Sequence, residues 1–483
     1  MLAKVFSNSL FYTFSSLFLR ASSIIFFPIF SYYLNQADYG ILSVSQSITV
    51  LVTSLAGFEL HRAITRFINS PESQKKSEFR KKFLGNIILT TFISNSVFVL
   101  FLLLFGSFFL KPILNNIPFY PYIFFSLIGI LFNFLVDLYR VYLKATHQGK
   151  ASFIFDMAFY SSNILLNLFF VVVLKKDVIG IIYSTIVCGF VFSSISIFKL
   201  FKVSSFSIKK SILFPVINYV LPLIPFIWLG MGVETVSTLF LNMEEGKEVS
   251  GIYYIAITFA TIFSAIKESI ISAISPWFFE FYQSKKYLIN KLFIHIILAG
   301  AIINMGISIF SFEVLTILSS KKSLVEAWKY IPLLNIGHLI IFIGQLLNLP
   351  MYYTKSKTSY LILANLGGFI TTFIISFLIT ESYGIQGAVI SKTSGYFIMT
   401  VISGIISINF MKFDINYFNI FIIVLFTTVL SYLNFLPFNY PLLLSLKIFI
   451  SLVLLFFFLK LVLKSYFGVK RLFLTYRSNL FRK

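Results

Sequence analysis

Among 483 residues there are one cysteine, four histidines and seventeen acidic side chains. A single thiol, Cys188, has no intrachain partner, so no disulfide framework holds this fold. His295 and His338 stand alone on separate apolar stretches. Nothing in the chain has the spacing of a metal site, a nucleophile–base pair or a glycine-rich phosphate loop. Charged residues make up only 12% of the chain, which excludes a water-soluble fold of this length, because it would have no polar surface to present. Long polar loops are missing too. The longest outward connection, from about Thr316 to Tyr330, leaves no room for an extracytoplasmic domain.

What is present is apolar: 58% of the residues, in about fourteen stretches of roughly twenty that run from Phe11 to Leu463. Lipid offers no partners to free backbone N–H and C=O groups, so each stretch must be a helix, and the fold class is an all-α polytopic membrane protein. The expected spans are 11–34, 39–60, 83–109, 121–143, 153–174, 178–200, 213–241, 252–275, 292–315, 331–353, 360–379, 385–408, 415–436 and 441–463. Met1 to Leu10 holds one lysine and the apolar run after it is too long for a secretory h-region, so no cleaved leader is expected.

The net charge of +22 belongs on one face. Arg62, Arg66, Lys75, Lys76, Arg80, Lys81, Lys82, Arg140, Lys144, Lys150, Lys199, Lys202, Lys209, Lys210, Lys285, Lys286 and Lys291 fall on one side of the expected spans. Lys355, Lys357, Lys412 and the tail from Lys464 to Lys483 join them. The other side keeps Lys111, Lys175, Lys176, Lys247, Lys321, Lys322 and Lys329, most of them beside acids. This asymmetry places both termini in the cytoplasm, with anionic lipid rather than nucleic acid as the partner of the basic face.

Compared with itself at a separation of a little over two hundred residues, the chain repeats. Gly40-Ile41 answers Gly251-Ile252, Gly180-Ile-Ile-Tyr-Ser184 answers Gly387-Ala-Val-Ile-Ser391, and Tyr142 answers Tyr352. These matches fall at equivalent topological positions. They imply two six-helix bundles, 1–210 and 211–410, related by a pseudo-two-fold axis along the membrane normal. Two additional helices at 411–464 and a basic cytoplasmic tail at 465–483 complete the chain.

A central cleft between such bundles needs polar walls. Ser9, Thr13, Ser16, Arg20 and Ser23 share one face of the first span. Ser43, Gln46, Ser47, Thr53 and Ser54 lie on the second, and Thr261, Ser264, Glu268, Ser272 and Ser275 on the eighth. Spans one, two, seven and eight would then face the cleft. A charge in mid-bilayer costs at least ~2.5–3.5 kcal/mol, so Arg20, Lys267, Glu268, Lys392 and Glu234 require an explanation. They either pair structurally, with Glu268 neutralising Lys267 or Arg20, or form a cationic cleft that receives an anionic substrate. Glu234 has a further reading, uptake of H⁺ or Na⁺ during a transport cycle. Its span carries Pro215, Pro222, Pro225, Gly230 and Gly232, which permit a bend. Lys447, about six residues into the last span, is expected to face lipid or a neighbouring helix, and Asp137 with Arg140 to form an intrahelical pair near Asp156.

The segment Phe27-Pro28-Ile29-Phe30-Ser31-Tyr32-Tyr33-Leu34 followed by Ala37-Asp38-Tyr39-Gly40-Ile41 resembles the first signature of the Wzx-type O-antigen and polysaccharide repeat-unit flippases of the MOP (multidrug/oligosaccharidyl-lipid/polysaccharide) exporter superfamily. Tyr32 replaces that signature's arginine. Gly57 to Arg66-Phe67 and Gly384-Ile385-Gln386-Gly387-Ala388 resemble two further segments of the family. The resemblance implies a flippase that turns undecaprenyl-pyrophosphate-linked oligosaccharide from the inner to the outer leaflet of the bacterial inner membrane by alternating access. The substrate-binding residues would be Arg20, Lys267, Lys392, Glu268 and Gln46. No cofactor is expected beyond Na⁺ or H⁺ as coupling ion. By similarity of span to the lipid II flippases, Glu234, Asn365 and Thr393 would hold it. Other membrane proteins of polysaccharide assembly are candidate partners. Two rival readings are a small-molecule or drug exporter of the same superfamily and, from another class, a membrane O-antigen polymerase or ligase, which would need the large outer loop that this chain lacks.

Overall fold

The computed structural model describes residues 21–68, 77–205, 208–281, 286–353, 360–411 and 416–480, together with Phe11, Phe14, Ser15, Phe18 and Leu19. Among the described residues every regular element is a helix. In chain order the principal ones are α1 (Phe27–Tyr33), α2 (Gln36–Ala56), α3 (His61–Phe67), α4 (Ser77–Phe109), α5 (Phe124–Ala145), α6 (Gly149–Leu168), α7 (Asp177–Phe201) and α8 (Lys210–Val220). They continue with α9 (Leu223–Phe281), α10 (Lys286–Ile309), α11 (Ser311–Leu318), α12 (Ile331–Tyr353), α13 (Leu361–Met411), α14 (Tyr417–Ser431) and α15 (Tyr440–Leu480).

Eleven of the described helices are long and apolar enough to cross a membrane, by length and composition. Two of them, over Leu223–Ser275 and Leu361–Asn409, span 53 and 49 residues. At ~1.5 Å per residue each is more than twice as long as the ~30 Å hydrocarbon core requires. Each is in fact a hairpin of two crossings, broken at Gly246 (φ 83°) in α9 and at Gly384 (φ 52°) in α13. Positive φ is a conformation that residues with a Cβ rarely adopt, which is why the reversal uses glycine. These breaks coincide with the gaps expected between the seventh and eighth and between the eleventh and twelfth spans. The first expected span lies partly outside the described residues, and α1 is its end. The expected bend in the seventh span falls at Leu221-Pro222, between α8 and α9, while Pro215 sits inside α8. Beyond that bend α8 packs on α3 and α4 of the first half. The last helix continues past the expected end of its span to Leu480.

Outward faces are lipid-like, with Val97, Leu100, Leu104, Phe105 and Phe108 of α4 exposed. Inside, the apolar core is divided. One cluster joins both halves at one end of the molecule, and it includes Leu34, Tyr39 and Ile123 of the first half with Tyr253, Leu315 and Ile385 of the second. At the other end one cluster, around Ile64, Phe83 and Leu138 of the first half, takes in Val216 and Val220 of α8, and a separate one lies around Phe263, Phe293 and Phe342 of the second half. Apart from α8, the halves therefore share a core cluster at one end and keep separate ones at the other. Helices α14 and α15 pack on α10 at the periphery.

The joined end is built from the Ala37-Asp38-Tyr39-Gly40 segment. Asn35 and Asp38 form a capping box, Asp38 N–H donating to Asn35 Oδ1 (3.0 Å) and Asn35 N–H to Asp38 Oδ2 (2.9 Å), which starts α2 cleanly. Tyr39 stacks on Tyr254 of α9 with ring centroids 6.2 Å apart. Gly40 and Gly251 then cross reciprocally. A Cβ on Gly40 would lie 1.7 Å from the Lys247 carbonyl oxygen, and one on Gly251 would lie 1.9 Å from that of Gln36. Each glycine thus faces the carbonyl four residues before the other.

Polar latches surround this crossing. Asn115 donates to the carbonyls of Asn242 and Met243, both at 2.9 Å, and Asn242 donates in return to Ile113 (2.8 Å) and Leu114 (3.1 Å). Ser320 N–H donates to Ser31 Oγ (3.0 Å), Gln36 Nε2 to the Ser323 carbonyl (3.0 Å) and Lys321 Nζ to the Leu34 carbonyl (2.7 Å).

Candidate functional site: a polar cavity and a buried carboxylate

Space remains between α2, α5 and α7 on the side of α2 turned to the first half. A cavity of about 510 Å³ occupies it, within the ~300–1,000 Å³ typical of ligand sites. Gln46, Thr49, Thr53, Asn133 and Thr185 bring polar groups to walls that are otherwise mostly apolar, with Glu59 and Asp137 as charged groups at one end. Both carboxylates are paired, Glu59 with Arg62 (2.6 Å) and Asp137 with Arg140 (3.0 Å). Beside Glu59, burial pushes the His61 imidazole below its usual pKa. Arg140 also holds buried Asp156 of α6 at 2.7 Å and lies over the ring of Phe159, so it ties α5 to α6 as well as pairing along its own helix. A smaller cavity of about 180 Å³ lies alongside, lined by Ser22, Ser23, Asn163, Asn167 and Tyr254, and Gln46 borders both.

The second half meets the larger cavity at Met231 of α9. Three residues on along α9, Glu234 has 45% of its side chain exposed. Behind it stands Lys392 of α13, 2% exposed, with Nζ 2.9 Å from Glu234 Oε2 and 3.0 Å from the Glu234 carbonyl. One turn further along α13, the Tyr396 hydroxyl donates to Glu234 Oε1 at 2.5 Å. Both carboxylate oxygens thus have a donor. His338 of α12 lies beside Tyr396, ring centroids 5.7 Å apart, and its Nδ1 bonds Ser264 Oγ (3.1 Å). Tyr253 bonds Ser237 (3.0 Å) on the adjoining wall.

The residues expected from sequence are distributed as follows. Gln46 lines both cavities. Arg20 lies outside the described residues, as do Ser9, Thr13 and Ser16 of its stripe. Lys267 is buried in the second half with Nζ 3.7 Å from Glu268 Oε1, and Gln345 of α12 also donates to that oxygen (3.1 Å). Ser264 turns toward α12 rather than the cleft. Glu234 and Lys392 come together. Asn365 donates to the Phe226 carbonyl (2.7 Å), two turns before Glu234, and Thr393 to the Leu333 carbonyl (3.3 Å), so the three span-matched ion residues do not converge on one point.

Tyr396 was not singled out by sequence reasoning. Its one-turn spacing from Lys392 on a single helix face was the available signal. Among the described residues no group of three or more His, Cys, Asp or Glu is placed to hold a metal ion.

The fold is shared with transporters of the MOP superfamily. Lipid II flippase MurJ in an inward closed conformation superposes with a TM-score of 0.65 at 13% identity, covering 96% of this chain and 99% of its own. A multidrug resistance MATE family transporter in its inward-facing conformation gives 0.64 at 13% identity, covering 97% of its own length but 81% of this chain. A MOP superfamily transporter from Pyrococcus furiosus, described as having reversed binding-pocket polarity, gives 0.53 at 12% identity over 83% of this chain and 94% of its own. No curated relative matches the sequence. The polysaccharide biosynthesis protein family model matches residues 5–282, more than half of the chain and all of the half that walls the large cavity, so this multi-pass membrane protein belongs to that family.

Proposed function

We propose that the chain is a flippase that turns a polyprenyl-pyrophosphate-linked oligosaccharide, an O-antigen or similar repeat unit, from the cytoplasmic to the periplasmic leaflet of the bacterial inner membrane. The observation that carries this reading is a cavity with polar groups on α2, α5 and α7 of the first half, bordered by Met231 of the second, in a molecule whose halves are tied by a shared core cluster at one end and by α8 at the other. Sugars cannot enter hydrocarbon unaided. A cavity walled by Gln46, Thr49, Thr53 and Asn133 offers them hydrogen bonds while the polyprenyl tail stays in lipid. Arg62, Lys82, Lys144 and Lys202 flank the cluster opposite the joined end, so by charge asymmetry that end would be cytoplasmic, with both termini inside, and the joined end periplasmic. Arg20 and Lys267, with Glu268 setting the charge balance, would meet the pyrophosphate. An inside-negative potential assists outward movement of that anion by ~2.3 kcal/mol per charge per 100 mV, and inward movement of a coupling cation, H⁺ or Na⁺, would add to it. Near end-to-end superposition on a lipid II flippase supports this reading over a drug exporter, since the MATE transporter leaves about a fifth of the chain unmatched.

The reading is tested in vesicles loaded with a defined polyprenyl-pyrophosphate oligosaccharide. Wild-type protein is expected to expose the sugar to an external lectin, and Lys267→Ala to slow this at least about tenfold. Lectin exposure equal to that of protein-free vesicles would sink the flippase reading, and lengthening of the glycan would favour a polymerase. A second expectation concerns the joined end. In a Cys188→Ser background, S31C/S320C replaces hydroxyls 3.3 Å apart, and oxidation should link the halves and stop transport until a reductant is added. Full transport by the crosslinked protein would refute alternating access through this end.

A further inference from the structure

The pairing of Glu234 with Lys392 bears on how a flippase of this kind would be driven, and the inference rests on reading Glu234 as its coupling carboxylate. We propose that the Lys392 ammonium is a tethered substitute for a coupling cation. It neutralises Glu234 from within the chain, so the second half needs no Na⁺ at this site, and removal of Lys392 would create an alkali-cation site there.

A hard cation such as Na⁺ needs several oxygen ligands converging on one point. Here the oxygens that could serve are already engaged. Glu234 Oε2 and the Glu234 carbonyl both accept from Lys392 Nζ (2.9 and 3.0 Å), and Oε1 accepts from Tyr396 (2.5 Å). Asn365 and Thr393, which would complete a cation shell by span position, are committed to the Phe226 and Leu333 carbonyls. The other titratable groups close enough to interact electrostatically with this carboxylate are Tyr253 and His338, and neither brings a fixed anion.

An added Na⁺ would sit close to a fixed ammonium. At about 4 Å and an effective dielectric constant near 20, that repulsion lowers its affinity by about a thousandfold. Lys392 is almost fully enclosed while the Glu234 side chain is 45% exposed, so the cation stands on the protein side of the carboxylate and, being tethered, cannot diffuse away. Truncation to alanine removes the whole stem and ammonium. It leaves a void beside a carboxylate, its own carbonyl and a phenol, an arrangement of oxygens that a hydrated Na⁺ can enter.

The test uses the full chain in detergent without any lipid-linked sugar, so its outcome is separable from that of the flippase assay. Melting temperature is measured against NaCl at constant ionic strength, with N-methylglucamine chloride as the balance. Wild type and Lys392→Arg are expected to be indifferent to Na⁺. Lys392→Ala should melt several degrees lower without Na⁺ and recover along a saturable Na⁺ curve, and Lys392→Ala/Glu234→Gln should show no Na⁺ response. The proposal is overturned if wild type is itself stabilised saturably by Na⁺ and Glu234→Gln abolishes that. It is equally overturned if Na⁺ at any concentration fails to restore Lys392→Ala, including the case in which that variant folds in no medium.

Discussion

Lys447→Ala is expected to destabilise the protein by about 3–5 kcal/mol, the cost of stranding a buried charge without its partner. Lys447 of α15 is 1% exposed and Glu313 of α11 11% exposed, with Nζ 2.5 Å from Oε1. The second oxygen of Glu313 is buried and has no hydrogen-bond partner, so the ammonium is its principal compensation. Of the two environments open to this lysine in the sequence, lipid or a neighbouring helix, the structure chooses the neighbour. Removing both charges together is a different change. Glu313→Gln/Lys447→Met keeps the volume without an ion, and it should melt within a few degrees of wild type. Thermal unfolding of the three proteins in one detergent decides the matter. Equal melting of Lys447→Ala and the double variant would show that the pair does not hold α15 in place.

Gly251→Val is expected to reduce transport at least about tenfold by preventing the joined end from closing. The atom that a Cβ would strike is a backbone carbonyl at 1.9 Å, which no side-chain rotation can move aside. Forcing α2 and α9 apart costs ~1–3 kcal/mol of overpacking, enough to shift an equilibrium between two transporter states by about 5- to 150-fold. The Asn115–Asn242 exchange and the Gln36–Ser323 bond would be lost with it. With Gln46→Cys as the reporter in a Cys188→Ser background, an impermeant maleimide added at the joined end should label Gly251→Val at least about ten times faster than the glycine parent. Unchanged labelling would mean that the crossing does not control access to the cavity. Gly40→Val should behave alike, because the clash at Gly40 mirrors that at Gly251.

The two glycines also show how far the sequence could be read. Gly40-Ile41 and Gly251-Ile252 stand out as a repeat when the chain is compared with itself, but nothing in that comparison says that the two copies touch. Contact follows from the crossing of α2 and α9, and reciprocity follows from a near-symmetric arrangement of the two crossing helices. Charges behave the same way. The energetic cost of charge in lipid marks Glu234, Lys267, Glu268 and Lys392 as needing partners. Lys267 and Glu268, adjacent in the chain, are within each other's reach whatever the packing. Glu234 and Lys392 lie on helices far apart in sequence, and Tyr396 gains its role only because its face of α13 is the one turned to α9.

Hydropathy and charge asymmetry were sufficient by themselves to determine that this is a helical membrane protein, where its long helices reverse, and which polar side chains are costly enough to require a reason. Those are one-dimensional properties, fixed by the thickness and dielectric constant of the bilayer. Tertiary structure alone decided which charges neutralise one another, where the halves touch and where they leave a cavity. Helix rotation and crossing set those distances, and a rotation of one residue, 100°, is enough to exchange a cavity wall for a lipid contact.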